Sequence, residues 1–277
     1  MPMTWINGVN LYWELAGEVG DPLVLVHGSW GDHHGWDQIV PALARSFRVL
    51  TYDRRGHSQS ERPMTQGSIR EDVADLAALI EHLGLAPAHI LGNSFGGMIV
   101  LGLALQRPEL FRSMLIHEPP FFGLVEDLAS ANPLKDTLAL IADASDKLEA
   151  GQMEAGTRLF METIVGVDAW QQTPAELRQA MVLNAPTFLD ERRDREWQEW
   201  SAVELKRLAD FPVPMLLTKG DESPLSLLFV ADKLERALPQ AQTQTLKGAG
   251  HVPQITHPEQ YVEVVEAFIR QSASGNI

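Results

Sequence analysis

The chain has 277 residues, 45% hydrophobic and 21% charged, which is enough for a large core and far from the composition of a disordered segment. Its 37 Asp and Glu against 22 Lys and Arg give a formal net charge of −15, so nucleic acid is a poor partner. Cys is absent, which removes disulfides, thiolate metal sites and a Cys nucleophile.

The first eight residues carry neither a basic nor an apolar signal region, and no apolar run reaches the roughly 18 residues of a membrane span. The reading is a soluble, cytoplasmic protein, with a homodimer left open. Residues 5–6 and 9–13 flank Asn7-Gly8, a two-residue hairpin signal. Residues 23–27 read as a buried strand, after which Trp36, Ile39, Val40 and Leu43 recur at helical spacing. Residues 47–52 form another strand. Ser68 and Glu71 make a capping box for a helix whose inner face is Ile69, Val73, Leu76, Ile80 and Leu83, with Gly84 just beyond its end.

Residues 89–93 are a strand, 95–106 a helix apolar enough to be buried, and 113–117 a further strand. From 123 to 210 the strand signal disappears. Leu134, Leu138 and Ile141 share a helix face there, and Thr173-Pro174-Ala175-Glu176 reads as a second capping box. Residues 215–218 and 243–246 are two more strands, and His257-Pro258 opens a last helix facing inward through Val262, Val265 and Ile269. Short apolar strands alternating with amphipathic helices predict an α/β fold, a mostly parallel sheet of about eight strands covered on both faces. The core comprises residues 1–122 and 211–277, and 123–210 form an inserted helical cap.

Gly92-Asn93-Ser94-Phe95-Gly96 is a G-x-S-x-G between a predicted strand and a predicted helix, the context in which a strained Ser is lifted above a sheet as a nucleophile. A hydroxyl that attacks must lose its proton, so a base must stand within hydrogen-bond reach. His251 is the candidate, because it follows a strand and a Gly-x-Gly turn and therefore lies at the same edge of the sheet. His27 reads as the end of a buried strand and His33 and His34 as oxyanion-loop or cleft-wall residues. His57, His82, His89, His117 and His257 read as turn, surface or capping positions. No His spacing suggests a metal site, so neither metal nor cofactor is expected.

His27-Gly28-Ser29-Trp30, Asp53-Arg54-Arg55-Gly56-His57-Ser58-Gln59-Ser60, the turn from Gly92 to Gly97 and Gly248-Ala249-Gly250-His251 together resemble the α/β-hydrolase family over nearly the whole chain. The resemblance implies a Ser nucleophile, a late His, an acid that orients it, and a cap inserted after the sixth strand. In most of that family the acid follows the seventh strand, where Lys219-Gly220-Asp221-Glu222-Ser223 places Ser223 at the usual offset. Two acids remain: Glu118 directly after the sixth strand, and Asp221. Glu118 is favoured, and His117-Glu118 before a non-polar stretch is similar to zearalenone-type lactone hydrolases. The resemblance also implies an oxyanion hole from the backbone N–H groups of Ser29 and Phe95.

Trp30, Phe121 and Phe122 are expected to line an apolar pocket, joined by a minority of the cap residues Phe160, Met161, Trp170, Phe188, Trp197 and Trp200. The expected partner is an apolar small-molecule ester or lactone, cleaved through an acyl-enzyme on Ser94. Two rivals are carbon–carbon bond hydrolysis of the meta-cleavage type, which the turn around Ser94 also resembles, and a non-hydrolytic ligand receptor on the same scaffold.

Overall fold

A computed structural model describes residues 2–65, 67–124, 132–198, 200 and 202–273. Eight strands form one sheet: β1 (Met3–Ile6), β2 (Val9–Ala16), β3 (Pro22–Val26), β4 (Arg48–Tyr52), β5 (Ala88–Asn93), β6 (Phe111–His117), β7 (Met215–Gly220) and β8 (Gln242–Leu246). Their spatial order is β1-β2-β4-β3-β5-β6-β7-β8. The β1–β2 and β2–β4 pairs are antiparallel and all others parallel. Ile6 pairs with Val9 across the Asn7-Gly8 turn, as the hairpin signal requires.

Successive residues of a strand point to opposite faces, and here both faces are apolar because both are covered by helices. Val24 and Val26 of β3, Ile90 of β5 and Met114 and Ile116 of β6 enter one core. Leu23 and Leu25, Leu91 and Leu115 enter the other. The second core is closed by the short helix α1 (Val40–Leu43) and by the final helix, whose Tyr261, Val265, Phe268 and Ile269 lie against the sheet. The first is closed by α2 (Ile69–His82) and α3 (Phe95–Gln106). The helix expected from Trp36 to Leu43 is instead a 3₁₀ turn over His33–Trp36 followed by α1, because Pro41 in the first turn of α1 cannot donate a hydrogen bond to carry the helix through. The Ser68 backbone N–H donates to Glu71 Oε2 at 3.0 Å, closing the capping box at the start of α2.

Between β6 and β7 the described residues form helices only: the 3₁₀ turn Phe122–Leu124, then α4 (Asn132–Glu149), α5 (Met153–Ile164), α6 (Ala169–Gln172), α7 (Ala175–Arg193), α8 (Arg195–Gln198) and α9 (Ala202–Lys206). The expected second capping box does not form. Thr173 Oγ1 donates back to the Ala169 carbonyl at 2.7 Å, ending α6, and α7 begins after Pro174 without a side-chain cap. Then follow α10 (Leu225–Ala237), α11 (Pro253–Thr256) and α12 (Pro258–Ala273). Among the described residues no helix is long and apolar enough to cross a membrane.

Candidate active site

Parallel strands point their carboxyl ends the same way, so the loops after them share one edge of the sheet. Ser94 follows β5, Glu118 follows β6, Ser29 lies after β3 and His251 after β8. Ser94 has φ 54° and ψ −126°, a strained conformation for a residue with a Cβ. Close packing enforces it. A Cβ at Gly96 would lie 2.2 Å from the Val26 carbonyl oxygen, and one at Gly28 would lie 2.9 Å from Ser94 Cβ. Only glycines allow the turn to sit this tightly on β3 and the β3 loop to rest on the serine. Glu118 (φ 41°) and Trp30 (φ 60°) also have left-handed backbones, so strain gathers at this edge.

His251 Nδ1 lies 2.8 Å from Glu118 Oε2, and the other carboxylate oxygen, Oε1, accepts the Gly220 N–H at 2.8 Å. Burial alone would raise the Glu118 pKa. The hydrogen bond from His251, with His117 and His251 nearby, outweighs it and lowers the value to about 2, so the group is an acceptor at neutral pH. His251 therefore carries its proton on Nδ1 and leaves Nε2 free to act. The Asn93 side-chain amide donates to the His251 carbonyl at 3.1 Å, tying the residue before Ser94 to the histidine loop. Asp221 does not reach this histidine; its carboxylate accepts the Gly248 N–H at 2.6 Å on an exposed turn. Ser223, at the offset where the resemblance would place the acid, is buried, and its backbone N–H donates to the carbonyl of Gly220, the residue whose own N–H bonds Glu118.

Ser94, His251, Asn93, Ser29 and Trp30 border one cavity of about 540 Å³. Phe160, Met161 and Ile164 of α5 and Leu177, Ala180 and Met181 of α7 form its far wall. Asp32 and Asp168 border it, and no Lys or Arg does among the described residues. Two aromatic expectations are corrected. Phe121 is fully buried in the core beneath the sheet edge with its ring 6.3 Å from Trp200, and Phe122 packs against that core, so neither lines the cavity. The run turns inward after Pro119-Pro120, which buries Phe121 fully and Phe122 in part, and removing that apolar surface from water favours the turn. Of the aromatics carried by the helices between β6 and β7, Phe160 is at the cavity wall, whereas Phe188 packs on Trp30 and Trp197 stands edge-on to Phe95 at 5.3 Å.

The histidines distribute differently from their sequence reading. His33 is buried against Asp53, with Nδ1 2.7 Å from Oδ1, and His34 pairs with Asp37 at the surface, so neither is a cleft-wall residue. His27 supports the loop after β3: Nδ1–H donates to the Gly28 carbonyl and Nε2 accepts the Arg54 N–H at 3.0 Å. His117, read as a turn or surface residue, is fully buried beside the pair, with Nε2 3.7 Å from Glu118 Oε2. His117, Glu118 and His251 bring ligand atoms within 4.8 Å of one another, a spacing that could hold a metal ion and that chain spacing alone does not disclose. The 2.8 Å separation of His251 Nδ1 and Glu118 Oε2 is that of a shared proton. The signal for His117 was the pairing of β6 with β5, which sets His117 opposite Asn93.

A mostly parallel sheet, with a strained serine on a strand-to-helix turn and a histidine–carboxylate pair at the same edge, is the architecture of a nucleophile-elbow enzyme. The model of the alpha/beta hydrolase fold matches residues 21–258, and the chain belongs to that family. It is 29% identical over 271 residues to the dihydrolipoyllysine-residue acetyltransferase component of the acetoin cleaving system of Pseudomonas putida, covering 96% of this chain and 68% of that one. It is 27% identical over 261 residues to the pimeloyl-[acyl-carrier protein] methyl ester esterase of Serratia marcescens, covering 94% of this chain and 98% of the relative. Among solved structures, Est816, described as an N-acyl homoserine lactone degrading enzyme, superposes with a TM-score of 0.77 at 23% identity, covering 96% of this chain and 100% of that one.

Proposed function

We propose that the protein is a serine hydrolase that cleaves a carboxylic ester or lactone of a neutral, apolar small molecule. The observation that carries this reading is the 2.8 Å contact with Glu118 of His251, which borders the cavity that Ser94 also borders. In this reading Ser94 Oγ attacks the carbonyl carbon as His251 Nε2 takes its proton, and the carbonyl oxygen becomes an oxyanion held by the Ser29 and Phe95 N–H groups. The tetrahedral carbon then expels the alcohol, which leaves with the proton held by His251. Water, deprotonated by the same nitrogen, attacks the acyl-enzyme, and collapse of the second intermediate releases the acid and returns the proton to Ser94. Glu118 stays ionised throughout and holds the imidazole in the productive tautomer.

Apolar walls with no Lys or Arg among the described lining residues favour an uncharged acyl or alcohol group. An aryl dienoate, the meta-cleavage substrate, carries a carboxylate for which this lining offers no counter-charge. The test is a plate of p-nitrophenyl esters of increasing chain length, several macrocyclic and aryl lactones and one aryl dienoate, each against the Ser94→Ala protein. Hundreds of turnovers on neutral esters or lactones, lost with Ser94, support the reading. Turnover of the dienoate alone, or a single slow turnover with a large rise in melting temperature, would replace it by the carbon–carbon hydrolase or the receptor.

A further inference from the structure

The cap is seated on the core through a polar seam. Asn184, Thr187 and Glu191 of α7 fall at i, i+3 and i+7, on one helix face, and all three are buried. Asn184 Nδ2 donates to the carbonyls of Trp30 and Gly31 at 3.3 and 3.2 Å, and its Oδ1 accepts the Ser58 N–H at 2.7 Å. Thr187 Oγ1 meets His57 Nε2 at 2.9 Å. Glu191 goes furthest. Its Oε2 accepts the Ser29 hydroxyl at 2.5 Å and its Oε1 accepts from Arg54 Nη2 at 3.0 Å. Arg54 is itself clamped by Asp72, through Nε at 3.2 Å and Nη2 at 3.0 Å, and its guanidinium lies 4.8 Å from the centre of the Phe95 ring. A single carboxylate of the cap thus holds Ser29 directly and Phe95 through Arg54. Those are the two residues whose backbone N–H groups serve as the oxyanion donors in the reading above.

We propose that Glu191 is a positioning residue for the oxyanion hole, which sets the spacing of the Ser29 and Phe95 N–H groups and so links the seating of the cap to transition-state stabilisation. The inference rests on the serine-hydrolase reading. Its physical basis is that backbone donors act only at hydrogen-bond distance from the developing oxyanion, and the Ser29 loop has no strand or helix of its own to hold it there. The two ends of the carboxylate bridge a loop of the core and a buried cation, and Ser29 and Glu191 are 162 residues apart in the chain, so this restraint exists only when the cap is docked.

Two substitutions cut the same bond from opposite sides. Ser29→Ala keeps the backbone N–H and removes the hydroxyl, and Glu191→Leu removes the carboxylate with little change in volume. On a p-nitrophenyl ester that the wild type turns over, each is expected to lower kcat about 10- to 100-fold with KM within about twofold, since losing a donor outright costs about 10²–10³ in kcat. The double variant should be no slower than Glu191→Leu alone, because the bond lost in Ser29→Ala is one of the two that Glu191→Leu removes. Glu191→Gln, which still spans Ser29 and Arg54 through hydrogen bonds, should keep most of the activity. Affinity for a trifluoromethyl ketone, which forms an oxyanion adduct with the serine, should fall by the same factor as kcat, while an unreactive methyl ketone should bind as in the wild type.

A rise in KM at constant kcat would mean that Glu191 only seats the cap. Additive losses in the double variant would mean that the two residues act separately. Either result overturns the inference. If Glu191→Leu does not fold, Ser29→Ala decides alone, and unchanged kcat there is equally fatal. A wild type whose turnover survives Ser94→Ala would instead overturn the serine-hydrolase reading itself, a distinct outcome.

Discussion

The backbone N–H of Ser94 donates to the carbonyl of His117 at 2.9 Å, across the gap between neighbouring parallel strands. The serine and the acid one residue beyond His117 therefore leave the sheet side by side. A carboxylate after β6 reaches the histidine loop from the strand next to the serine rather than from the one beyond it.

Ser94→Ala is expected to lower kcat on an activated ester by about 10⁴ to 10⁶ while leaving the melting temperature near that of the wild type or above it. The strained φ of 54° is held by packing that alanine preserves. Burst kinetics of p-nitrophenol release, present in the wild type and absent from the variant, would identify the acyl-enzyme. Near-normal turnover in the variant would reject Ser94 as nucleophile.

Glu118→Gln is expected to cost about 10⁴ in kcat, because the amide cannot hold the His251 proton on Nδ1 as a carboxylate does. Asp221→Asn should change kcat less than about threefold, since that carboxylate bonds the Gly248 N–H instead. The reverse pattern would transfer the acid role to Asp221.

Ser223→Asp in the Glu118→Gln background is expected to restore at least tenfold of the lost activity. Ser223 is buried, its backbone N–H bonds the carbonyl of Gly220, whose own N–H bonds Glu118, and it stands at the offset where the resemblance would place the acid. No recovery, in a double variant that retains the wild-type circular dichroism, would mean that an acid at that offset does not reach His251.

Stability should fall as pH drops below about 6.5, the unfolded pKa of histidine. Burial lowers His27 to about 3 and His89 and His117 to about 4, and it carries His57 well below its ordinary value. Between about pH 6.5 and 4 the unfolded chain thus binds protons that the folded one refuses, at about 1.4 kcal/mol per pH unit for each histidine. Glu118 extends the trend: its pKa of about 2 lies below the unfolded value near 4.3, so its contribution is complete above that value and lost as pH falls towards 2. His33 works in the opposite sense. Burial lowers it, but Asp53 outweighs burial and raises it, so its contribution is lost as pH rises above 6.5. Urea midpoints measured from pH 8 to 4 should peak near pH 7; a midpoint unchanged between pH 7 and 5 would refute neutral burial of these histidines.

What the residues determined unaided is the part of the molecule governed by short-range rules. The apolar run from Leu23 to Val26, the Asn7-Gly8 hairpin and the Ser68–Glu71 box each depend on neighbours within a few positions, and all eight strands were legible for that reason. Tertiary structure alone set Glu118 rather than Asp221 against His251, buried Phe121 and packed Phe122 on the core, buried His117 beside Glu118 and drew Glu191 onto Ser29. Those outcomes turn on strand register and on how the helices between β6 and β7 pack, where partners as far as 162 positions apart in the chain meet in one buried space. No local pattern of residue types carries that information.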